Sequence, residues 1–136
     1  MKFVSEGISK QTWEQFSAKL SSAEATSVLR ELVSYVTDRL KSRIDQVKTS
    51  KDSVAFLSEG REFLTINVTR TGLRIYFHPP AGMLFSQDEK FPVEKVSIWA
   101  ASFQKASGKY RAMTAWISKK EHLPGIKTLI DRIPTS

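Results

Sequence analysis

Residues 63–78 read FLTINVTRTGLRIYFH, and apolar side chains alternate with polar ones on both sides of a single glycine. Period-two alternation is typical of half-buried β-strands. Gly72 favours a short hairpin connection between the two halves, because glycine readily adopts a positive φ. We therefore predict two antiparallel strands with one aliphatic face. The opposite face carries the chemically varied side chains: Thr65, Asn67, Arg74, Tyr76 and His78.

Two helices are predicted before this hairpin. Thr12 and Gln15 match a T-x-x-Q capping box, and the aromatic residues beside them recur at helical spacing. A second, longer helix is predicted from residue 23 to about residue 47, because its apolar residues follow steps of three and four. Ser21 and Ser22 separate the two helices, and their hydroxyl groups are suited to cap the second one.

The remaining pattern predicts more strands and one further helix. Pro79 and Pro80 end the hairpin, and residues 79–92 are predicted to form an irregular loop. Ser118 and Glu121 match an S-x-x-E capping box that opens a final helix, which Pro134 ends. The predicted strands are residues 54–57, 61–68, 73–78, 93–103 and 110–117, the last two joined across Ser107-Gly108.

This order of elements predicts a single α+β domain over residues 1–136. It has two amino-terminal helices, an antiparallel sheet of about five strands and a carboxy-terminal helix, arranged in two layers. The sequence leaves open whether the last helix covers the polar face of the central hairpin. Cysteine is absent, which excludes disulfides, thiolate metal sites and a cysteine nucleophile. We expect no secretory signal, no membrane-spanning segment and a cytoplasmic location.

The net charge of +7 is concentrated near the carboxy terminus. Residues 100–136 carry seven Lys and Arg against two Asp and Glu, whereas the rest of the chain is nearly balanced. A basic surface of this kind favours phosphate-bearing or acidic partners through long-range attraction. The alternative is a solvated surface that serves only solubility.

Two stretches together resemble a known family. They are VAFLSEGREFLTINVTRTGLRIYFHPP (54–80) and SGKYRAMTAWISKKEHLPGIKTLIDRI (107–133). They look like a family of small prokaryotic α+β domains of unknown function, which occur alone or fused to restriction-endonuclease-like modules. Some members are described as predicted transport proteins. The resemblance covers residues 54–78 and 108–133, and it implies a genomic neighbourhood of nucleic-acid processing without an established activity.

The inventory of catalytic residues is small. The chain has two histidines, His78 and His122, and it contains no H-E-x-x-H, P-loop, G-x-G-x-x-G or G-x-S-x-G motif. We predict no catalytic residues, metal site or cofactor, and we favour a non-enzymatic domain over a small-molecule enzyme.

A binding function has more support. Aromatic side chains on a sheet stack on bases, and neighbouring basic residues hold phosphates. We therefore predict a small basic binding or accessory domain for nucleic acid, nucleotide or another phosphate-bearing ligand. The candidate ligand-binding residues are Arg74, Tyr76, His78, Trp99, Lys105, Lys109, Arg111 and Trp116.

Two alternatives stay open at this stage. Tyr76, Trp99 and Trp116 are also suited to a core beneath the last helix, since large aromatic residues are usually mostly buried. The domain could instead bind a protein partner or a second copy of itself through an apolar patch, for which the apolar residues of the 79–92 loop are candidates.

Overall fold

The computed structural model describes residues 8–78, 97–105 and 108–134, with side chains described for 8–78 and 113–134. The predicted loop 79–92 lies outside the described residues, as do residues 93–96 of the fourth predicted strand and Ser107 of the predicted turn.

The described chain contains three α-helices and six strands. The helices are α1 (Lys10–Lys19), α2 (Ala23–Leu40) and α3 (Leu123–Asp131), with a 3₁₀ turn at Lys120–His122 before α3. The strands are β1 (Gln46–Ser50), β2 (Ser53–Ser58), β3 (Arg61–Val68), β4 (Leu73–Phe77), β5 (Ser97–Lys105) and β6 (Gly108–Ile117).

The six strands form one antiparallel sheet in the order β1-β2-β3-β4-β6-β5. This arrangement confirms the predicted α+β class, with two amino-terminal helices and a carboxy-terminal helix. The central meander β2–β3–β4 is also as predicted. The second hairpin, β5–β6, joins the sheet through β6. All of β4, from Leu73 to Phe77, pairs with β6.

The sixth strand corrects the predicted length of the second helix. That helix ends at Leu40 rather than near Val47, and residues 46–50 form β1 against β2. The apolar spacing that suggested helix includes Val47, which packs against the core from a strand instead. The backbone N–H and C=O groups of residues 46–50 pair with the edge of β2. Just before β1, the N–H of Asp45 donates to the carbonyl of Leu57 at 2.9 Å.

The helix starts show where short polar motifs predict capping well and where they do not. Ser22 caps α2 as predicted, since its Oγ accepts the N–H of Ala25 at 3.0 Å. The predicted Thr12 capping box is wrong, because α1 is capped one turn earlier by Ser9, whose Oγ accepts the N–H of Thr12 at 3.1 Å. Before α3, the Nδ1 of His122 accepts the N–H groups of residues 118 and 119 at 3.1 and 3.2 Å.

A single hydrophobic cluster joins all three helices to one face of the sheet. Because side chains alternate across each strand, the sheet has an aliphatic face and an opposite face. The strand residues of the aliphatic face are fully or almost fully buried with the helices in this cluster: Val54, Phe56, Leu64, Ile66, Val68, Leu73, Ile75, Phe77, Ala115 and Ile117. The last helix therefore lies on the aliphatic face, where α3 contributes Leu123, Ile126, Leu129 and Ile130.

Gly60 and Gly72, the glycines of the two central turns, have different roles, and that of Gly72 is not the predicted one. The positive φ angles belong to Glu59 (53°) and Gly60 (77°), in the two-residue turn between β2 and β3. Gly72 has no positive φ, so that part of the prediction is wrong. It is instead a point of close approach, because a Cβ there would lie 2.7 Å from the carbonyl oxygen of Ile117 and 2.9 Å from Trp116.

Glu59→Asn is expected to raise the free energy of unfolding by about 0.5–1 kcal/mol. Positive φ strains most side chains, whereas asparagine tolerates it and Asn-Gly is the preferred pair in this type of turn. Urea denaturation monitored by circular dichroism measures the change. Glu59→Gln is the matched control, because it removes the same charge and keeps the strain. An equal gain in both variants would show that charge, not backbone conformation, limits this turn.

Candidate functional site

We call the sheet face opposite the helices the outer face, and its described side chains do not share one environment. Ala55, Leu57 and Thr114 are buried there, although none belongs to the hydrophobic cluster. Arg74 is exposed, and the side chains beside it are partly exposed. One accessible region of the outer face therefore surrounds Arg74 and includes Asn67, Tyr76 and Trp116. A second lies at the β1 edge, where Gln46, Lys48 and Ser50 are exposed on the same face.

Arg74 and Trp116 form a cation–π pair in this region. They are direct partners in the β4–β6 register, and the guanidinium carbon of Arg74 lies 5.8 Å from the centre of the Trp116 ring. Cross-strand partners on one face are close enough for such contacts. Arg74 forms no ion pair with any carboxylate of the described residues. An aromatic ring therefore holds the guanidinium in place, and no carboxylate of residues 8–78 or 113–134 neutralises it.

Other basic side chains are occupied by structural contacts on the helical side. Arg39 pairs with Asp131 at 3.2 Å, and Lys127 pairs with Glu31 at 2.8 Å. Arg43 donates to the carbonyl of Pro134 at 3.0 Å. These contacts join α2 to the carboxy-terminal helix and its end.

Tyr35 belongs to the same set of contacts. Its hydroxyl donates to Asp131, and the ammonium of Lys127 lies 5.0 Å from the centre of its ring. Burial and the neighbouring carboxylate of Asp131 raise the pKa of Tyr35 above its ordinary value. The neutral phenol of Tyr35 thus joins α2 to α3 through a structural hydrogen bond. These contacts lie on the helical side of the sheet and do not belong to the outer face.

A second feature of the outer face is a row of hydrogen bonds next to Tyr76. The hydroxyl of Thr65 lies 2.9 Å from Nε2 of His78 and donates to Oε1 of Glu62 at 3.1 Å. Because the hydroxyl has one proton, which Glu62 receives, the bond with His78 is one in which Nε2–H donates to Thr65. His78 is 6% exposed, and its ring stacks beside Tyr76 at a centroid separation of 6.3 Å.

His78 is therefore placed differently from the other candidates. It lies on the outer face beside Tyr76, as alternation predicts, but it is buried and bonded within the protein. Its contact with Thr65 positions the ring against Tyr76. His78 therefore packs beside the Tyr76 ring and does not present an exposed imidazole to a ligand.

The remaining candidates lie on β5 and β6, and their backbone positions are defined by the strand register. Trp99 pairs with Thr114, so it follows Tyr76 and Thr114 in one cross-strand row. Lys105, Lys109 and Arg111 lie toward the hairpin end of these strands. At about 3.3 Å per residue, Lys109 is roughly 23 Å along β6 from Trp116. The sheet therefore does not bring the hairpin lysines together with Arg74 at one compact site.

The described residues offer no metal centre. Among residues 8–78 and 113–134, no group of three or more histidine, cysteine or carboxylate side chains could hold a metal ion. In the same described part of the chain, no helix is long and apolar enough to cross a membrane.

Comparisons with known proteins add no family to this picture. No family model, curated protein or solved structure matches the chain. The family resemblance of residues 54–78 and 108–133 therefore stays a prediction.

Three side chains with defined geometry escaped the candidate set. Thr65 and Asn67 share the outer face with Arg74, and Glu62 reaches that face because a β-bulge shifts the β2–β3 register between Phe56 and Leu57. Alternation placed Thr65 and Asn67 on the correct face, so their signal was available. Nothing in the local sequence indicates this bulge, in which Phe63 is the unpaired residue, because it depends on pairing with β2.

Proposed function

We propose that this protein is a non-enzymatic module that binds single-stranded nucleic acid through the part of the outer face that surrounds Arg74. The observation that carries the proposal is the Arg74–Trp116 pair beside Tyr76, on the sheet face away from the described helices. The proposal also places the protein in the cytoplasm, in keeping with a chain that lacks cysteine.

The side chains match the two parts of a nucleic-acid strand. Tyr76 and Trp116 are partly exposed aromatic residues, and bases stack on such rings with little dependence on sequence. Arg74 provides a guanidinium that no described carboxylate neutralises, and guanidinium groups bind phosphates through paired hydrogen bonds. A duplex hides its base faces, so stacking on this surface requires a single strand.

The position of the remaining basic residues favours an extended ligand over a mononucleotide. The hairpin end of β5–β6 carries Lys105, whose partner Gly108 lies eight residues, or roughly 26 Å, along β6 from Trp116 and in phase with it across the sheet. A mononucleotide is too short to contact both regions, whereas a strand of several nucleotides can. The net charge of +7 adds long-range attraction along such a path. The family resemblance, which implies a nucleic-acid neighbourhood, points in the same direction.

Fluorescence anisotropy with a labelled single strand of mixed sequence, about 12 nucleotides long, tests this proposal. We expect binding that weakens linearly on a log-log plot of affinity against salt. Arg74→Ala is expected to weaken binding about tenfold, because it removes both a phosphate contact and the support of the Trp116 ring. The corresponding duplex is expected to bind more weakly than the single strand.

Arg30→Ala is the matched control for this experiment. Arg30 is also exposed and also lies over a tryptophan, with its guanidinium carbon 4.6 Å from the centre of the Trp13 ring, but it belongs to α2. The two variants lose the same charge and the same type of contact. Equal losses of affinity would show that net charge alone attracts the oligonucleotide. No binding at low salt would reject the proposal and favour a protein partner or a second copy of the chain.

A further inference from the structure

The amino-terminal part of α1 and the middle of α2 form a pocket on the helical side of the protein. Its volume is about 530 Å³, which is in the range of small-molecule sites. The pocket opens to solvent and is lined by one aliphatic residue, one tryptophan and four polar or charged side chains: Ile8, Lys10, Trp13, Glu14, Ser17 and Arg30. No strand residue lines it, so its ligand is independent of the proposed function.

Trp13 brings an unused hydrogen-bond donor to this pocket. The side chain is 8% exposed, and it packs edge-on against Phe16 with the ring centres 6.0 Å apart. Among the described residues, no hydrogen bond involves the indole N–H of Trp13, and its nitrogen is not fully buried. The indole N–H of a buried tryptophan usually has a partner. Because the small exposed part of Trp13 lines the pocket, an acceptor placed there can complete this hydrogen bond.

Arg30 is held beside Trp13 without using its hydrogen-bond donors. Its guanidinium carbon lies 4.6 Å from the centre of the Trp13 ring, and this cation–π contact leaves the N–H groups of the guanidinium available. Lys10 is exposed like Arg30, and neither cation forms an ion pair with a carboxylate of residues 8–78 or 113–134. Two cationic donors and one neutral donor therefore line the same pocket.

Glu14 restricts the charge of the anion that this pocket accepts. Its carboxylate also lines the pocket, so two positive charges stand against one negative charge. This balance favours an anion of single charge, whereas a phosphate dianion or a phosphodiester strand brings more negative charge close to Glu14. A planar carboxylate also matches the fork of the Arg30 guanidinium, and Ile8 and Trp13 provide apolar surface for the body of an organic ligand.

We infer that this pocket binds a small organic carboxylate. The carboxylate accepts hydrogen bonds from Arg30, Lys10 and the indole N–H of Trp13, and the apolar body of the ligand lies against Ile8. The site does not include Arg74 or Trp116. Failure of the proposed function therefore leaves this inference in place, and failure of this inference leaves the proposed function in place.

Benzoate is the probe for this site, and the indole N–H signals of the three tryptophans in NMR correlation spectra report where it binds. Trp13→Phe identifies the Trp13 signal by its loss. We expect millimolar benzoate to shift the Trp13 signal to saturation and to leave the signals of Trp99 and Trp116 in place. Benzamide has the same shape and no charge, and it is expected to bind about tenfold more weakly, because hydrogen bonds between charged groups are stronger than those to neutral groups.

Substitutions in the pocket test the role of each charge. Arg30→Gln is expected to weaken benzoate binding about tenfold and Lys10→Gln about threefold, because a guanidinium donates two parallel hydrogen bonds and an ammonium acts as a point charge. Glu14→Gln is expected to strengthen binding about twofold by removing a like charge. Lys48→Gln is the matched control, since it removes an exposed lysine on the outer face of the sheet and is expected to leave benzoate affinity unchanged. Circular dichroism checks that each variant is folded.

Inorganic phosphate tests the chemical class of the ligand. It is expected to bind about tenfold more weakly than benzoate, because it carries more negative charge toward Glu14 and has no apolar body. Phosphate that binds as tightly as benzoate would overturn the assignment to a carboxylate, and so would benzamide that binds as tightly. A Trp13 signal that does not move, or a loss of affinity in Lys48→Gln equal to that in Lys10→Gln, would overturn the site itself.

Discussion

Gly72→Ala is expected to lower the free energy of unfolding by about 2–3 kcal/mol. The added Cβ would lie 2.7 Å from the carbonyl oxygen of Ile117 and 2.9 Å from both the Ser118 Cβ and the Trp116 ring. A carbonyl of a paired strand cannot move without disturbing the β4–β6 ladder, so the strands must separate locally. Urea denaturation followed by circular dichroism measures the change.

Gly60 provides the matched control, because it is required for a different reason. Its φ is 77°, and a Cβ there would meet nothing within 4 Å. Gly60→Ala is expected to cost about 1 kcal/mol from backbone strain alone, and Gly60→Asn less, since asparagine tolerates positive φ. At Gly72 the order is reversed, because the larger asparagine clashes more than alanine. If Asn is also the better tolerated residue at Gly72, the close approach is not what constrains that position.

The close approach at Gly72 matters for function because it lies next to the proposed site. Trp116 contacts both the position of the missing Cβ and the guanidinium of Arg74. A shift of Trp116 away from a new side chain would move the aromatic ring on which Arg74 rests. The stability of the β3–β4 turn and the geometry of the outer face are therefore linked through one tryptophan.

Local patterns in the sequence were sufficient for much of the fold. Period-two alternation identified β3 and β4 within one or two residues, and helical spacing identified α1, α2 and the final helix. These signals are strong because each element buries one face, so that apolar residues recur at the period of the element. The placement of Arg74, Tyr76 and Trp116 on one face was open to prediction for the same reason.

What could not be predicted depends on contacts between distant residues. Residues 46–50 carry an apolar spacing compatible with helix, and only the free edge of β2 makes them a strand. The role of Gly72 depends on Ile117, which is 45 positions later in the sequence. Likewise, the side of the sheet on which α3 lies follows from its packing against α2, because its own apolar stripe would fit either face.

The two faces of the sheet thus differ in how far helices cover them and in whether their basic side chains form ion pairs. The aliphatic face is closed by three helices, and ion pairs between α2 and α3 occupy Arg39 and Lys127 on that side. On the outer face, the Arg74 guanidinium has no carboxylate partner among the described residues, and the rings of Tyr76 and Trp116 on β4 and β6 are partly exposed. Packing alone does not require side chains of this kind on adjacent strands, and the proposed single-stranded ligand would contact them together.

Thr65→Val is expected to lower the free energy of unfolding by about 1–3 kcal/mol. Valine keeps the β-branched shape of threonine and removes only the hydroxyl, which bridges His78 and Glu62. Both hydrogen bonds of that hydroxyl are then lost, and each contributes about 0.5–1.5 kcal/mol. Urea denaturation near neutral pH measures the loss.

Thr65→Ser tests whether the hydroxyl is responsible. Serine keeps the oxygen and loses one methyl group, so this variant is expected to cost less than 1 kcal/mol, below the cost of Thr65→Val, although valine is the better strand former. That order is opposite to the one that strand propensity alone predicts. If valine proves the more stable replacement, the Glu62–Thr65–His78 row contributes nothing to folding. Its remaining role would then be to orient the His78 ring beside Tyr76, and Thr65→Val would weaken oligonucleotide binding without destabilising the protein.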